Sequence, residues 1–177
     1  MEIKDKRLFL KYALPCVTTL VKRGWIKQED MDRMLDMLVN NKEINVDLKK
    51  IFVVASSICS LIAMKAEKKE IDSGVIRDYF WNEHDYMVDK RYEEMKDFDP
   101  EECRVYPGKV LKVGEKAEVM TPKGTASYRK DLAPEIKEGD YVVMHYDFIV
   151  EKITKETAKL LWDSRQSTIK DVIPFSS

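Results

Sequence analysis

The sequence predicts an α+β protein: a four-helix domain over residues 1–98, a small antiparallel β-barrel with a C-terminal helix over 103–165, and a tail over 166–177. Two observations carry this. In the first hundred residues apolar side chains recur at spacings of three and four, the helical period; from Lys109 onward they alternate in short runs separated by Gly and Pro turn signals. Between the two lies the polar stretch 96–102, containing Asp99-Pro100, and a residue before proline is held out of the helical region.

Each element has its own signal. Over 4–22, Leu8, Phe9, Tyr12, Ala13, Val17, Leu20 and Val21 form one stripe, which Pro15 should kink and Gly24 should end. A second helix over 28–39 carries Met31, Met34, Leu35 and Leu38, with Glu29 and Asp30 at the positive end of its dipole. Asp47 caps a third, over 48–68, which is apolar nearly all round and is therefore expected at the centre of the bundle. Asp72 or Ser73 caps a fourth, over 74–95. The methionines are expected to fill the core.

In the second domain, strands over 109–113 and 117–121 flank the turn Gly114-Glu115-Lys116. Pro122-Lys123-Gly124 turns into 125–130, and a loop over 131–137 follows. Glu138-Gly139-Asp140 then turns into 141–150, the strongest strand, and Thr154 caps a helix with Thr157, Ala158, Leu161 and Trp162 on its buried side. Short strands at this spacing predict a barrel.

Composition narrows the function. Residues 1–99 carry 18 Lys/Arg against 19 Asp/Glu, and residues 100–177 carry 13 against 13. Neither half has the basic excess of a nucleic-acid binder, which counts against a barrel that stacks bases on Tyr128, Tyr141 and Tyr146. The most apolar segment, 51–64, is too short for the roughly 20 residues of a membrane span, and the first residues lack the apolar run of a signal peptide, so the expected location is the cytoplasm. Three scattered cysteines form neither a disulfide framework nor a C-x-x-C pair. With no second cysteine expected nearby to resolve a disulfide at Cys103, a thiol redox enzyme is disfavoured.

Phosphate-loop, zinc-protease and serine-hydrolase motifs are absent from the sequence. The chemistry-bearing candidates are Cys103, at the entry to the second domain, and His145, in the last long strand. Cys16 and Cys59 read as buried small hydrophobes, and His84 as a surface or edge histidine without ligand partners at helical spacing. A turn at Pro107-Gly108 should hold Cys103 at the barrel rim. Strand alternation groups Tyr141, Val143, His145, Asp147 and Ile149 on an outer face, where Asp147 can orient the imidazole, and Val142, Met144, Tyr146, Phe148 and Val150 on the core face.

The run Cys103-Arg104-Val105-Tyr106-Pro107-Gly108-Lys109-Val110 resembles the opening C-x-x-x-P-G-x-V/I of the HypC/HupF hydrogenase-assembly chaperones. Gly124 falls at a turn glycine of that family. Gly139-Asp140-Tyr141-Val142-Val143-Met144-His145 resembles its G-[DQ]-[WY]-V-x-V-H segment. Phe148 then matches its phenylalanine, and Ile153-Thr154-Lys155-Glu156-Thr157-Ala158 is similar to the start of its last helix.

The resemblance covers about 103–165 and implies a small OB-like barrel and a maturation chaperone rather than an enzyme. It implies partners, a HypD-like maturation protein and the nickel–iron hydrogenase large subunit, and a transient cargo of iron with carbonyl and cyanide ligands. It would make Cys103 and His145 the iron-binding residues and Cys103, Arg104, Pro107, Gly108, His145 and Asp147 the partner-binding ones. The helical domain would add a contact with the client or with a second copy of the chain. The alternative is a divergent interaction module that keeps the barrel and has no metal role.

Overall fold

The computed structural model describes residues 1–95 and 98–165, so the tail expected over 166–177 lies outside the described residues. The chain divides into two compact units between Cys103 and Arg104.

The first unit is helical. The first expected helix is interrupted at Pro15, as its missing N–H requires: α1 (Lys6–Ala13) passes through a tight 3-10 turn (Leu14–Cys16) into α2 (Val17–Lys22), and Gly24 ends the run at φ +72. Helix α3 (Gln28–Val39) buries Met34, Met37 and Leu38, so these methionines do fill core. The third expected helix is two pieces, α4 (Leu48–Ile51) and α5 (Val53–Lys65), broken where Phe52 leaves helical geometry and sets its ring against Phe9, with centroids 6.0 Å apart. Asp47 caps α4 by accepting from the Lys50 N–H at 3.2 Å, and Asp72 caps α6 (Ser73–Asp78) by accepting from the Val75 N–H at 2.9 Å. Helix α6 runs through one π-helical turn (Tyr79–Glu83) into α7 (His84–Met95).

Three features of this unit depart from expectation. Helix α5 is not central: it buries Ser56, Cys59 and Ala63 but leaves Val53, Val54, Leu61 and Met64 exposed. Two dipeptides, β1 (Glu2–Ile3) and β2 (Glu70–Ile71), pair in parallel and tie the N-terminus to the residues before α6. The stretch read as a polar linker contains a single helical turn, α8 (Pro100–Cys103), where Pro100 occupies the first position and loses no helical bond. The Asp99 carboxylate accepts from the Glu101 N–H at 2.9 Å.

The second unit is a five-stranded antiparallel sheet in the order β5-β4-β3-β6-β7, formed by β3 (Val105–Val113), β4 (Ala117–Thr121), β5 (Gly124–Tyr128), β6 (Tyr141–His145) and β7 (Phe148–Ile153). The expected barrel is not closed. A bridge from Arg129 to Phe148 brings its edges together, and there the Arg129 N–H donates to the Asp147 carbonyl at 2.7 Å. Helix α9 (Lys155–Arg165), capped by Thr154, packs on β3 and β6 through Ala158, Leu161 and Trp162. Its Arg165 Nε donates to the Val105 carbonyl at 2.6 Å.

Two local readings are corrected here. Pro107 and Gly108 form no turn; they lie inside β3, which begins at Val105 rather than Lys109. Val110 exchanges bonds with Asp140 and Gly139 on the β6 side, so by alternation Pro107 turns its nitrogen away from β6 and costs that ladder nothing. Gly108 is needed for close packing: a Cβ there would stand 2.5 Å from Val119 Cγ1, 2.7 Å from Met144 Cε and 2.8 Å from the Met120 carbonyl oxygen. Gly108→Ala is therefore expected to destabilise the sheet unit by about 1–3 kcal/mol, as overpacked cores do. Urea denaturation checks this, and an unchanged midpoint would refute the packing account.

Candidate functional site

Cys103 is the last residue of α8 and is 8% exposed, held inside the helical unit rather than at an open rim. Two side chains from distant helical segments converge on it. Cys16 ends the 3-10 turn forced by Pro15, and His84 opens α7 directly after the π turn. The Cys16 sulfur lies 3.7 Å from His84 Nε2, and the donor atoms of Cys16, His84 and Cys103 all lie within 4.8 Å of one another.

The expectation of a surface histidine at 84 is overturned: it is 4% exposed. Phe80 and Val88, four residues to either side, are both buried, and a histidine midway on that stripe shares their face. Tyr79 and Phe80 stand against the ring, with centroids 5.8 and 5.4 Å away. Phe80 in turn stacks on Tyr12 at 5.0 Å, and the Tyr12 hydroxyl accepts from the Trp81 Nε1–H at 2.7 Å. The imidazole is thus fixed in orientation by aromatic packing. Its second nitrogen, Nδ1, lies 3.6 Å from the Asp85 carboxylate, which leaves Nε2 turned toward the thiols.

The electrostatics follow from this enclosure. Burial pulls the His84 pKa down, but the Asp85 carboxylate and the Cys103 sulfur raise it more, to about 9. The Cys16 thiol is pushed well above its ordinary value by its hydrogen bond with Cys103 and by burial. Two sulfurs and an imidazole nitrogen are donors that suit soft and borderline transition metals. The same three residues line a cavity of about 640 Å³ within the helical unit, walled by Ala13, Leu20, Phe52 and Met87 and carrying Arg23, Lys50, Lys90 and Arg91.

In the second unit His145 ends β6 and is fully buried, not outward as strand alternation had it. The expected long strand is a hairpin whose two-residue turn is Tyr146-Asp147, with Tyr146 at φ +52. A left-handed tyrosine is rare, and no Gly or Asn marks this turn, so the sequence showed one strand where there are two. Asp147 sits at an exposed turn position, and the shared strand face that was to align it with His145 does not exist. Of the expected core set, Val142, Met144, Phe148 and Val150 are buried, whereas Tyr146 is in the turn. In the ladder His145 stands opposite Val105, which follows Cys103 by two residues along the chain. Arg104, the first residue of the unit, is half-buried.

Cys59, the remaining cysteine, is a structural thiol. It is fully buried, and burial is the main cause that pushes its pKa up to about 12, so it stays protonated across the neutral range. Iodoacetamide at pH 8 should leave Cys59 unmodified in the folded protein and label it in denaturant, read by mass spectrometry of its peptide. Equal labelling in both states would refute this placement.

Residues 103–164 match the HupF/HypC family, and the N-terminal region matches no family. No curated protein and no solved structure matches the chain. The family match supports a hydrogenase maturation chaperone role. Among the described residues, no helix is long and apolar enough to cross a membrane.

Proposed function

We propose that this protein is a cytoplasmic carrier in nickel–iron hydrogenase assembly. Through Cys103, assisted by His145, it receives an iron bearing carbonyl and cyanide ligands from a HypD-like maturation protein and delivers it to the hydrogenase large subunit. It acts as a chaperone and turns over no substrate. The observation that carries the reading is the family match, which opens on Cys103 and takes in His145. Three points of chemistry support it. A thiolate is a suitable donor to soft, low-spin iron. Three free cysteines suit a reducing compartment. The β3–β6 register sets His145 opposite a residue two positions from Cys103 along the chain.

Partner contact is assigned to the half-buried Arg104 and to Asp147 at the exposed hairpin turn, whereas Cys103 and His145, being buried, would meet a partner only on local opening. Pro107 and Gly108 serve this surface indirectly, through the strand geometry they allow. The helical unit supplies a second contact: Val53, Val54, Leu61 and Met64, exposed on α5, offer an apolar face to the client or to a second copy of the chain.

The reading is tested by anaerobic pull-down of the tagged protein from its native source, with infrared spectra of the eluate for wild type and Cys103→Ala. The substitution removes one sulfur atom, expected to cost about 1 kcal/mol, so the variant folds. Carbonyl and cyanide stretching bands in wild type, lost in the variant, are expected. Absence of bands in both, with the same partners recovered, would overturn iron carriage and leave a protein-interaction module.

A further inference from the structure

We propose that Cys16 and His84 join Cys103 to form a three-donor site, two sulfurs and one imidazole nitrogen, for a single soft or borderline transition-metal ion within the helical unit. The proposal rests on the carrier reading only for the identity of the metal as cargo iron; the donor geometry stands without it.

The spacing fits one ion. In a tetrahedral site a sulfur at about 2.3 Å and a nitrogen at about 2.0 Å stand roughly 3.5 Å from each other. Cys16 Sγ and His84 Nε2 are 3.7 Å apart, and the three donors lie within 4.8 Å of one another. Small side-chain adjustments bring the wider separations to bonding range. The ring is already oriented for ligation. The carboxylate of Asp85 stands 3.6 Å from Nδ1, and a short side-chain shift would bring it to the position from which an outer carboxylate orients a metal-bound histidine through its other nitrogen.

All three residues line the 640 Å³ cavity, so a small ligand on the ion has space there. Among the described residues, Arg23, Lys50, Lys90 and Arg91 line the same cavity and outnumber its one carboxylate, Glu94, so that ligand is expected to be anionic or strongly dipolar. Binding requires both thiols deprotonated and the imidazole neutral, so uptake releases protons.

The experiment uses the full chain, reduced and metal-free under anaerobic conditions, titrated with cobalt(II) and, separately, with cadmium(II). Expected are one equivalent of cobalt with sulfur-to-metal charge-transfer absorption and a cadmium NMR signal coupled to the His84 ring. Cys16→Ser and His84→Gln should each weaken binding at least about tenfold, and Asp85→Asn roughly 10–100-fold.

The cadmium spectrum of the wild type tests the site even if a variant fails to fold. A cadmium signal typical of oxygen ligands, or cobalt binding indifferent to Cys16→Ser and His84→Gln, overturns the site while leaving the carrier reading intact. Three-donor binding in a protein whose native eluate shows no carbonyl or cyanide bands supports the site and overturns the carrier reading.

Discussion

The packing of the His84 ring against Tyr79 and Phe80 is the constraint on which the helical unit's chemistry depends. It begins in the backbone. The single π turn at Tyr79–Glu83 places an extra residue in the helix that α6 begins and α7 ends, and such turns recur at functional sites because they re-aim the side chains that follow. Here the side chain that follows is the imidazole. The aromatic contacts reach further: Phe80 meets Phe9 and Tyr12 of α1, and Phe9 meets Phe52 at the break between α4 and α5. One connected set of rings therefore joins the segments that present Cys16 and His84. Loss of Phe80 by truncation to Ala, at the usual 3–5 kcal/mol for a core phenylalanine, would release several of these at once.

The sheet unit answers to a different constraint, the close approach of strands at Gly108. Val119, Met144 and the Met120 backbone all press on the space a side chain would take. That approach draws β3, β4 and β6 over one core, in which Tyr106, Val110, Ala117, Val119, Val142, Met144 and Ile149 meet Ala133 and Ile136 from the connecting segment. The Pro-Gly pair is thus an internal feature of the central strand: proline is tolerated because its nitrogen points off the β6 ladder, and glycine is required because nothing larger fits.

Much of this architecture was legible in the sequence, for physical reasons that also mark the limits. Helix existence, the α3 limits, the Asp47 and Asp72 caps and the β4 limits all follow from periodicity and turn chemistry, which are local. What was missed is non-local or breaks a local rule. The hairpin at Tyr146-Asp147 has neither Gly nor Asn, and a tyrosine takes its left-handed position. The π turn changes helical register with no compositional mark. His84 had a readable sign, a polar ring flanked at i−4 and i+4 by Phe80 and Val88, but only the fold reveals that Cys16 and Cys103 meet it. Cys103 and His145 stood out by elimination of other chemistry and then through a family resemblance; their burial followed from neither.

Cys16 and His84 stand 68 positions apart along the chain and 3.7 Å apart in space. A metal ion held by both in the folded protein and released on unfolding would stabilise the folded state by mass action. With the proposed ion bound, the chain would open less often than without it, and proteases act on the open form. Its lifetime in the cell would then depend on whether the ion is in place.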